Sequence, residues 1–113
     1  MREYYLFKLR DNSINSKKVY LILEELFYLN RNRFNYGIKI FNDLCLPINK
    51  SKFINYEKNI IINNTYILIK NSINISSYFK YFNDLEKHLF VCDFDNKDYF
   101  YLNDFIRLNF NRY

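Results

Sequence analysis

Apolar and polar residues alternate most clearly in residues 89–102, which read LFVCDFDNKDYFYL. Two short apolar and aromatic runs flank the polar group 95–98, which predicts a β-hairpin with a four-residue loop. In the first run a period of two puts Phe90, Cys92 and Phe94 on one face. A hairpin alone is marginally stable in water, so we expect the rest of the chain to cover it.

Two other regions share the strand pattern. Residues 4–9 predict a strand with Tyr5, Phe7 and Leu9 on one face. Residues 59–70 are rich in β-branched side chains and predict a second hairpin. Its turn is expected at Asn63-Asn64, because Asn tolerates the positive φ angles of a two-residue turn better than other non-glycine residues.

A period of about 3.6 residues predicts three helices, at residues 16–30, at 33–45 and from about 76 to 88. The apolar positions expected to face the core are Val19, Ile22, Leu23, Leu26, Phe27 and Leu29 in the first helix, Phe34, Ile38, Phe41, Leu44 and Cys45 in the second, and Phe79, Phe82, Leu85 and Leu89 at the spacing of the third. The polar positions expected outside on the third are Lys80, Asn83, Glu86 and Lys87.

The order of these elements is β-α-α-β-β-α-β-β. It predicts an α+β fold of a single domain over residues 1–113, with two layers in which helices cover a largely antiparallel sheet. Residues 49–58 and the C-terminal residues 103–113 give no clear pattern.

The first two helices leave apolar residues outside the predicted core. The outer stripe of the first helix contains Lys17, Leu21, Glu24 and Tyr28 at helical spacing, and Tyr36 and Ile40 project from the far side of the second. Either a further layer of this small protein covers these side chains, or they form a surface on which a partner helix docks.

Composition limits the classes of function. Hydrophobic residues make up 50% of the 113 and aromatic residues 21%, which indicates a folded chain. The single Gly excludes glycine-rich phosphate loops. The net charge of +5 suits an acidic partner, either a protein surface or a nucleic acid stacked on strand aromatics, although the RNA-recognition motif with its glycine is absent.

Candidate chemistry is sparse. Cys45, Cys92 and His88 are the only residues of their types and give no zinc-ligand spacing, so we expect two buried free thiols. Asp93, Asp95 and Asp98 form the densest acidic cluster, but the Gly and Glu of a calcium-binding loop are missing, and turn formation is the simpler explanation. We therefore predict no enzyme activity, no cofactor and no metal site.

The chain shows no apolar membrane segment or leader, so we expect a cytoplasmic monomer that does not bind membranes.

Three stretches carry a family resemblance in their order along the chain. They are residues 1–7 (MREYYLF), the middle group Asn35-Tyr36-Gly37 with Phe41, Leu44 and Pro47-Ile48, and residues 90–102 (FVCDFDNKDYFYL). Together they resemble the sporulation inhibitor of replication (SirA) family of low-GC Gram-positive bacteria. Frequent Asn, Ile, Lys, Tyr and Phe, which have AT-rich codons, are typical of such an organism.

The resemblance implies a non-enzymatic protein that inhibits chromosome replication by binding the N-terminal domain of the initiator DnaA, with a role in sporulation. The family's contact surface involves the start of the first helix and the second helix. By position, the resemblance assigns this surface to Ser13, Ile14, Lys17, Tyr36 and Ile40, with Ser13 and Lys17 standing where the family has larger aromatic residues. Together with Leu21 from the helical pattern, these residues form the predicted partner-binding site: Ser13, Ile14, Lys17, Leu21, Tyr36 and Ile40.

Overall fold

The first apolar run of the chain forms the central strand of an antiparallel sheet. The computed structural model describes residues 2–11, 13–29, 37–53, 58–70 and 75–110. In this part of the chain the strands are β1 (Glu3–Leu9), β2 (Cys45–Leu46), β3 (Ile60–Ile62), β4 (Ile67–Lys70), β5 (Leu89–Asp93) and β6 (Asp98–Tyr101). The sheet has the order β3-β4-β1-β5-β6, and β2 pairs with the end of β1 beyond β4.

Four α-helices accompany the sheet in the described residues. They are α1 (Ser16–Leu23), α2 (Ile38–Leu44), α3 (Ile75–Leu85) and α4 (Leu102–Phe110). A π-helical segment (Glu24–Leu29) continues α1, and a short 3₁₀ helix (Lys50–Lys52) follows β2. The predicted order of elements is confirmed, with β2 and α4 added.

Helices cover both faces of the sheet, so it is the middle of three layers. On one face Tyr5, Phe7 and Leu9 pack with the apolar residues of α1 and α2. On the other, Tyr4 and Leu6 pack with α3 and α4. The single-domain α+β fold and the antiparallel sheet are confirmed. The expected two layers become three because β1 and β5 carry apolar side chains on both faces.

Both predicted hairpins form, with changes at their turns. Asp93 pairs with Asp98, so the last loop spans residues 94–97, one position earlier than predicted, and Leu102 starts α4. In the other hairpin Ile62 pairs with Ile67, which leaves a four-residue loop rather than the expected two-residue turn.

This four-residue loop is closed by a side chain rather than by positive φ angles. Asn63 Oδ1 accepts hydrogen bonds from the backbone N–H groups of Thr65 (2.9 Å) and Tyr66 (2.8 Å). Neither Asn63 nor Asn64 has a positive φ angle. The Asn63 side chain therefore closes this turn, together with a hydrogen bond from the Asn63 N–H to the Tyr66 carbonyl.

Four helical positions depart from the predicted faces. Leu29, Ile38 and Leu85 were assigned to the core but are 60%, 41% and 38% exposed. Glu86 was placed outside but is buried, because α3 ends at Leu85 and the chain turns inward toward β5. Phe34, also assigned to the core, lies outside the described residues.

Candidate partner-binding groove

The first wall of the candidate site is α1, whose start is set by Asn15. The Asn15 side-chain oxygen accepts hydrogen bonds from the backbone N–H groups of Lys17 (3.0 Å) and Lys18 (3.2 Å). Such a cap satisfies donors that have no partner within the helix. It aligns the first turn so that Lys17 and Leu21 lie four residues apart on one face.

A mostly apolar groove of about 520 Å³ lies between α1 and α2. Leu21 from α1 is 50% exposed and Ile40 from α2 is 54% exposed. The residues that line the groove are Asn15, Lys17, Lys18, Leu21, Ile22, Glu25, Leu26 and Ile40. Two half-exposed aliphatic side chains from different helices thus share one concave surface.

The missing side chain at Gly37 shapes the floor of the groove. Gly37 is buried just before α2, and a Cβ atom there would collide with a methyl group of Leu26. Because glycine leaves this space open, α2 can begin close against Leu26, and Ile40 one turn later faces the same groove.

Three of the six predicted site residues lie in the groove. Lys17, Leu21 and Ile40 line the groove together. Ser13 is exposed in the turn before α1, and its N–H donates to Asp11. Ile14 is half-buried, and its carbonyl accepts a hydrogen bond from the Tyr101 hydroxyl. Tyr36 lies outside the described residues.

The other two residues of the predicted outer stripe, Glu24 and Tyr28, contact other parts of the same protein. Tyr28 stacks on Phe94 with ring centroids 4.9 Å apart and donates a hydrogen bond to Asp95. Glu24 accepts a hydrogen bond from the Tyr20 hydroxyl at 2.7 Å and lies 3.7 Å from Lys97. The π-helical segment adds residues per turn, which rotates Glu24 and Tyr28 away from the line of Lys17 and Leu21.

Sequence reasoning missed five members of the groove: Asn15, Lys18, Ile22, Glu25 and Leu26. Ile22 and Leu26 were assigned to the core and are half-buried, because they lie at the boundary between the core face and the groove. The signal that could have found them is their helical spacing, since Lys18, Ile22 and Leu26 follow each other at four-residue intervals beside Lys17 and Leu21.

The acidic cluster at the last hairpin is structural. Asp93 is buried and accepts hydrogen bonds from the backbone and side chain of Asn96, and its Oδ2 lies 3.5 Å from the Arg2 guanidinium. Asp98 instead accepts from the N–H of Tyr99. Among the described residues, no three His, Cys, Asp or Glu side chains are grouped as metal ligands.

Both cysteines are buried free thiols, as predicted. Burial raises the pKa of the Cys45 thiol to about 12 and also raises that of Cys92. A thiol held in its protonated form is a poor nucleophile, so neither cysteine is activated.

The strand aromatics on which a nucleic-acid reader would depend lie largely in the core. Tyr5, Phe7 and Phe90 are buried beneath α1 and α2. Tyr99 stacks on Tyr20 with ring centroids 4.6 Å apart. These rings already pack against the protein's own helices, which leaves the net charge as the remaining argument for nucleic-acid binding.

Comparison with protein-family models and with curated proteins finds no match to this chain. No helix in the described part of the chain is both long enough and apolar enough to span a bilayer.

Proposed function

We propose that this protein is a non-enzymatic, protein-binding regulator that inhibits the initiation of chromosome replication by binding the N-terminal domain of DnaA in the groove between α1 and α2. The observation that carries the proposal is that Lys17, Leu21 and Ile40 line one groove. The helical pattern singled out all three, and the resemblance to the SirA family points to the same two helices.

The groove has the physical properties of a small docking site. Burying an aliphatic side chain fully is worth roughly 1.5–3 kcal/mol, so half-exposed Leu21 and Ile40 offer about 1 kcal/mol each on binding. Lys17 and Lys18 are exposed at the groove and favour an acidic flank on the partner. The net charge of +5 speeds encounter with an acidic surface. In this proposal the protein acts in the cytoplasm as a monomer.

The test is calorimetry of the full chain with the N-terminal domain of DnaA from the same organism. We expect Leu21→Gln and Ile40→Gln each to weaken binding about tenfold, which corresponds to roughly 1.4 kcal/mol. Ile38→Gln is the matched control, because Ile38 lies on the same helix with similar exposure but does not line the groove.

No binding at high micromolar concentrations, or equal losses in all three variants, would overturn the proposal. Binding of DNA or RNA whose affinity falls linearly with salt on a log–log plot, with no binding of the DnaA domain, would replace it with the nucleic-acid alternative.

A further inference from the structure

The single glycine of the chain, Gly37, lies where the backbone does not require a glycine. Its φ and ψ angles are −94° and 4°, which residues with a Cβ atom also adopt. In the described part of the chain the positive φ angles, where a glycine would relieve strain, belong to His88 and Lys97. The reason for a glycine at position 37 therefore lies in the side chains that surround it.

Position 37 is also the N-cap of α2, where a polar side chain stabilises a helix. Ser, Asn and Asp accept hydrogen bonds from the first N–H groups of a helix at this position. Asn15 provides such a cap for α1, whereas Gly37 makes no side-chain hydrogen bond to α2. The glycine thus leaves α2 without the cap that α1 has.

The space that a side chain at position 37 would occupy is filled by Leu26. A Cβ atom on Gly37 would overlap with Leu26 Cδ2 and lie 3.4 Å from Leu26 Cγ. Leu26 is half-buried, packs against the core beneath α1 and α2, and lines the groove. That core has no room for a displaced methyl group, since its members Leu23 and Phe41 are fully buried and close-packed. Among the described residues, the open side of Leu26 is the groove.

We propose that Gly37 keeps the groove open for the partner, because any side chain at this position displaces Leu26 into the space between Leu21 and Ile40. The inference rests on the proposed function, in which the N-terminal domain of DnaA docks in this groove. An apolar side chain of that domain and a displaced Leu26 compete for the same mostly apolar space. Gly37 is therefore a specificity-determining residue, which sets the size of the side chain that the groove accepts.

The experiment is calorimetry of the full chain with the N-terminal domain of DnaA. It compares wild type, Gly37→Ala, Leu26→Ala and the double variant. We expect Gly37→Ala to weaken binding about tenfold, because the displaced Leu26 overpacks the groove. In the Leu26→Ala background the same change should alter the affinity less than about twofold, since no side chain is left to displace.

Gly37→Ser separates the open space from the start of the helix. Ser adds a Cβ atom, as Ala does, but it is a better N-cap than Ala. We expect Gly37→Ser to weaken binding as much as Gly37→Ala does. Binding of Gly37→Ser as tight as that of wild type would overturn the proposal, because the added Cβ atom would then leave the groove open.

Methyl NMR of the protein without its partner gives a second readout. We expect the methyl signals of Leu21 and Ile40 to shift in Gly37→Ala. The same signals should coincide in Leu26→Ala and the double variant. If Gly37→Ala does not fold, the two variants that lack the Leu26 side chain decide the matter, because neither contains the overlap.

The two proposals fail in different ways. No binding of the DnaA domain to wild type, together with the expected methyl shifts, contradicts the proposed function alone. Equal affinities of wild type and Gly37→Ala overturn the role of Gly37, as do unchanged methyl signals. A further loss of affinity from Leu26→Ala to the double variant also overturns it, because the effect would then not pass through Leu26.

Discussion

Lys97 and His88 are the non-glycine residues of the described chain with positive φ angles, at 53° and 61°. His88 lies directly before β5 and Lys97 directly before β6, where the chain must turn sharply. A chain with a single glycine, used at position 37, has no other residue without a Cβ for such sites. L-residues adopt this conformation at a cost of roughly 1–2 kcal/mol, so the hairpin contains local strain.

Lys97→Gly should make the protein about 1 kcal/mol more stable than Lys97→Ala, because only glycine relieves the positive φ angle. Both variants lose the ion pair between Lys97 and Glu24. Because the Lys97 side chain is 78% exposed, this pair contributes little to the stability of the fold. Urea unfolding of the two variants measures the difference. Equal stabilities would show that the turn is not strained.

At the scale of elements, the predicted outer stripe of the first helix is split between α1 and its π-helical continuation, and the two parts face different regions of the molecule. The α-helical part presents Lys17 and Leu21 to the groove, whereas the π-helical part turns Glu24 and Tyr28 toward the last hairpin. The change in helical geometry therefore separates the residues of the groove from those that contact the last hairpin. The position of the groove residues of α1 depends on the cap at Asn15, which fixes the first turn of the helix.

Asn15→Ala removes the cap of α1 and should lower the free energy of unfolding by about 1 kcal/mol. Asn15→Ser keeps an oxygen acceptor and should stay within a few tenths of a kcal/mol of wild type. Chemical denaturation compares the two, and a similar loss in both would show that the hydrogen bonds to Lys17 and Lys18 do not stabilise the helix.

At the scale of the whole molecule, one buried carboxylate joins distant parts of the chain. Glu86 follows α3, and its two oxygens lie 2.8 Å from Lys8 Nζ of β1 and 3.1 Å from Lys52 Nζ of the 3₁₀ helix. Burial alone would raise the pKa of the Glu86 carboxyl. The hydrogen bonds and charges of Lys8 and Lys52 outweigh burial and hold this pKa below its ordinary 4.5.

A lowered pKa in the folded state makes the stabilisation depend on pH. The contribution of Glu86 is fully present above pH 4.5, the unfolded value, and is lost as pH falls through the lower folded pKa. Glu86→Gln should therefore cost roughly 1–3 kcal/mol at pH 7, and the difference from wild type should shrink below pH 4.5.

Urea unfolding across this pH range measures the effect. Asp84→Asn, an exposed change on α3, is the matched control and should leave the pH dependence as in wild type. Parallel curves for Glu86→Gln and wild type would contradict the role of the ion pairs.

The sequence by itself determined the order of the elements, the faces of β1, the core positions Phe79 and Phe82, and three residues of the groove. These depend on periods of two and 3.6 residues, which neighbouring side chains set locally. The positions of Glu86 and Tyr28 and the third layer were decided by tertiary structure. Their environments depend on residues far along the chain, such as Lys8, Lys52 and Phe94, which periodicity does not relate to them.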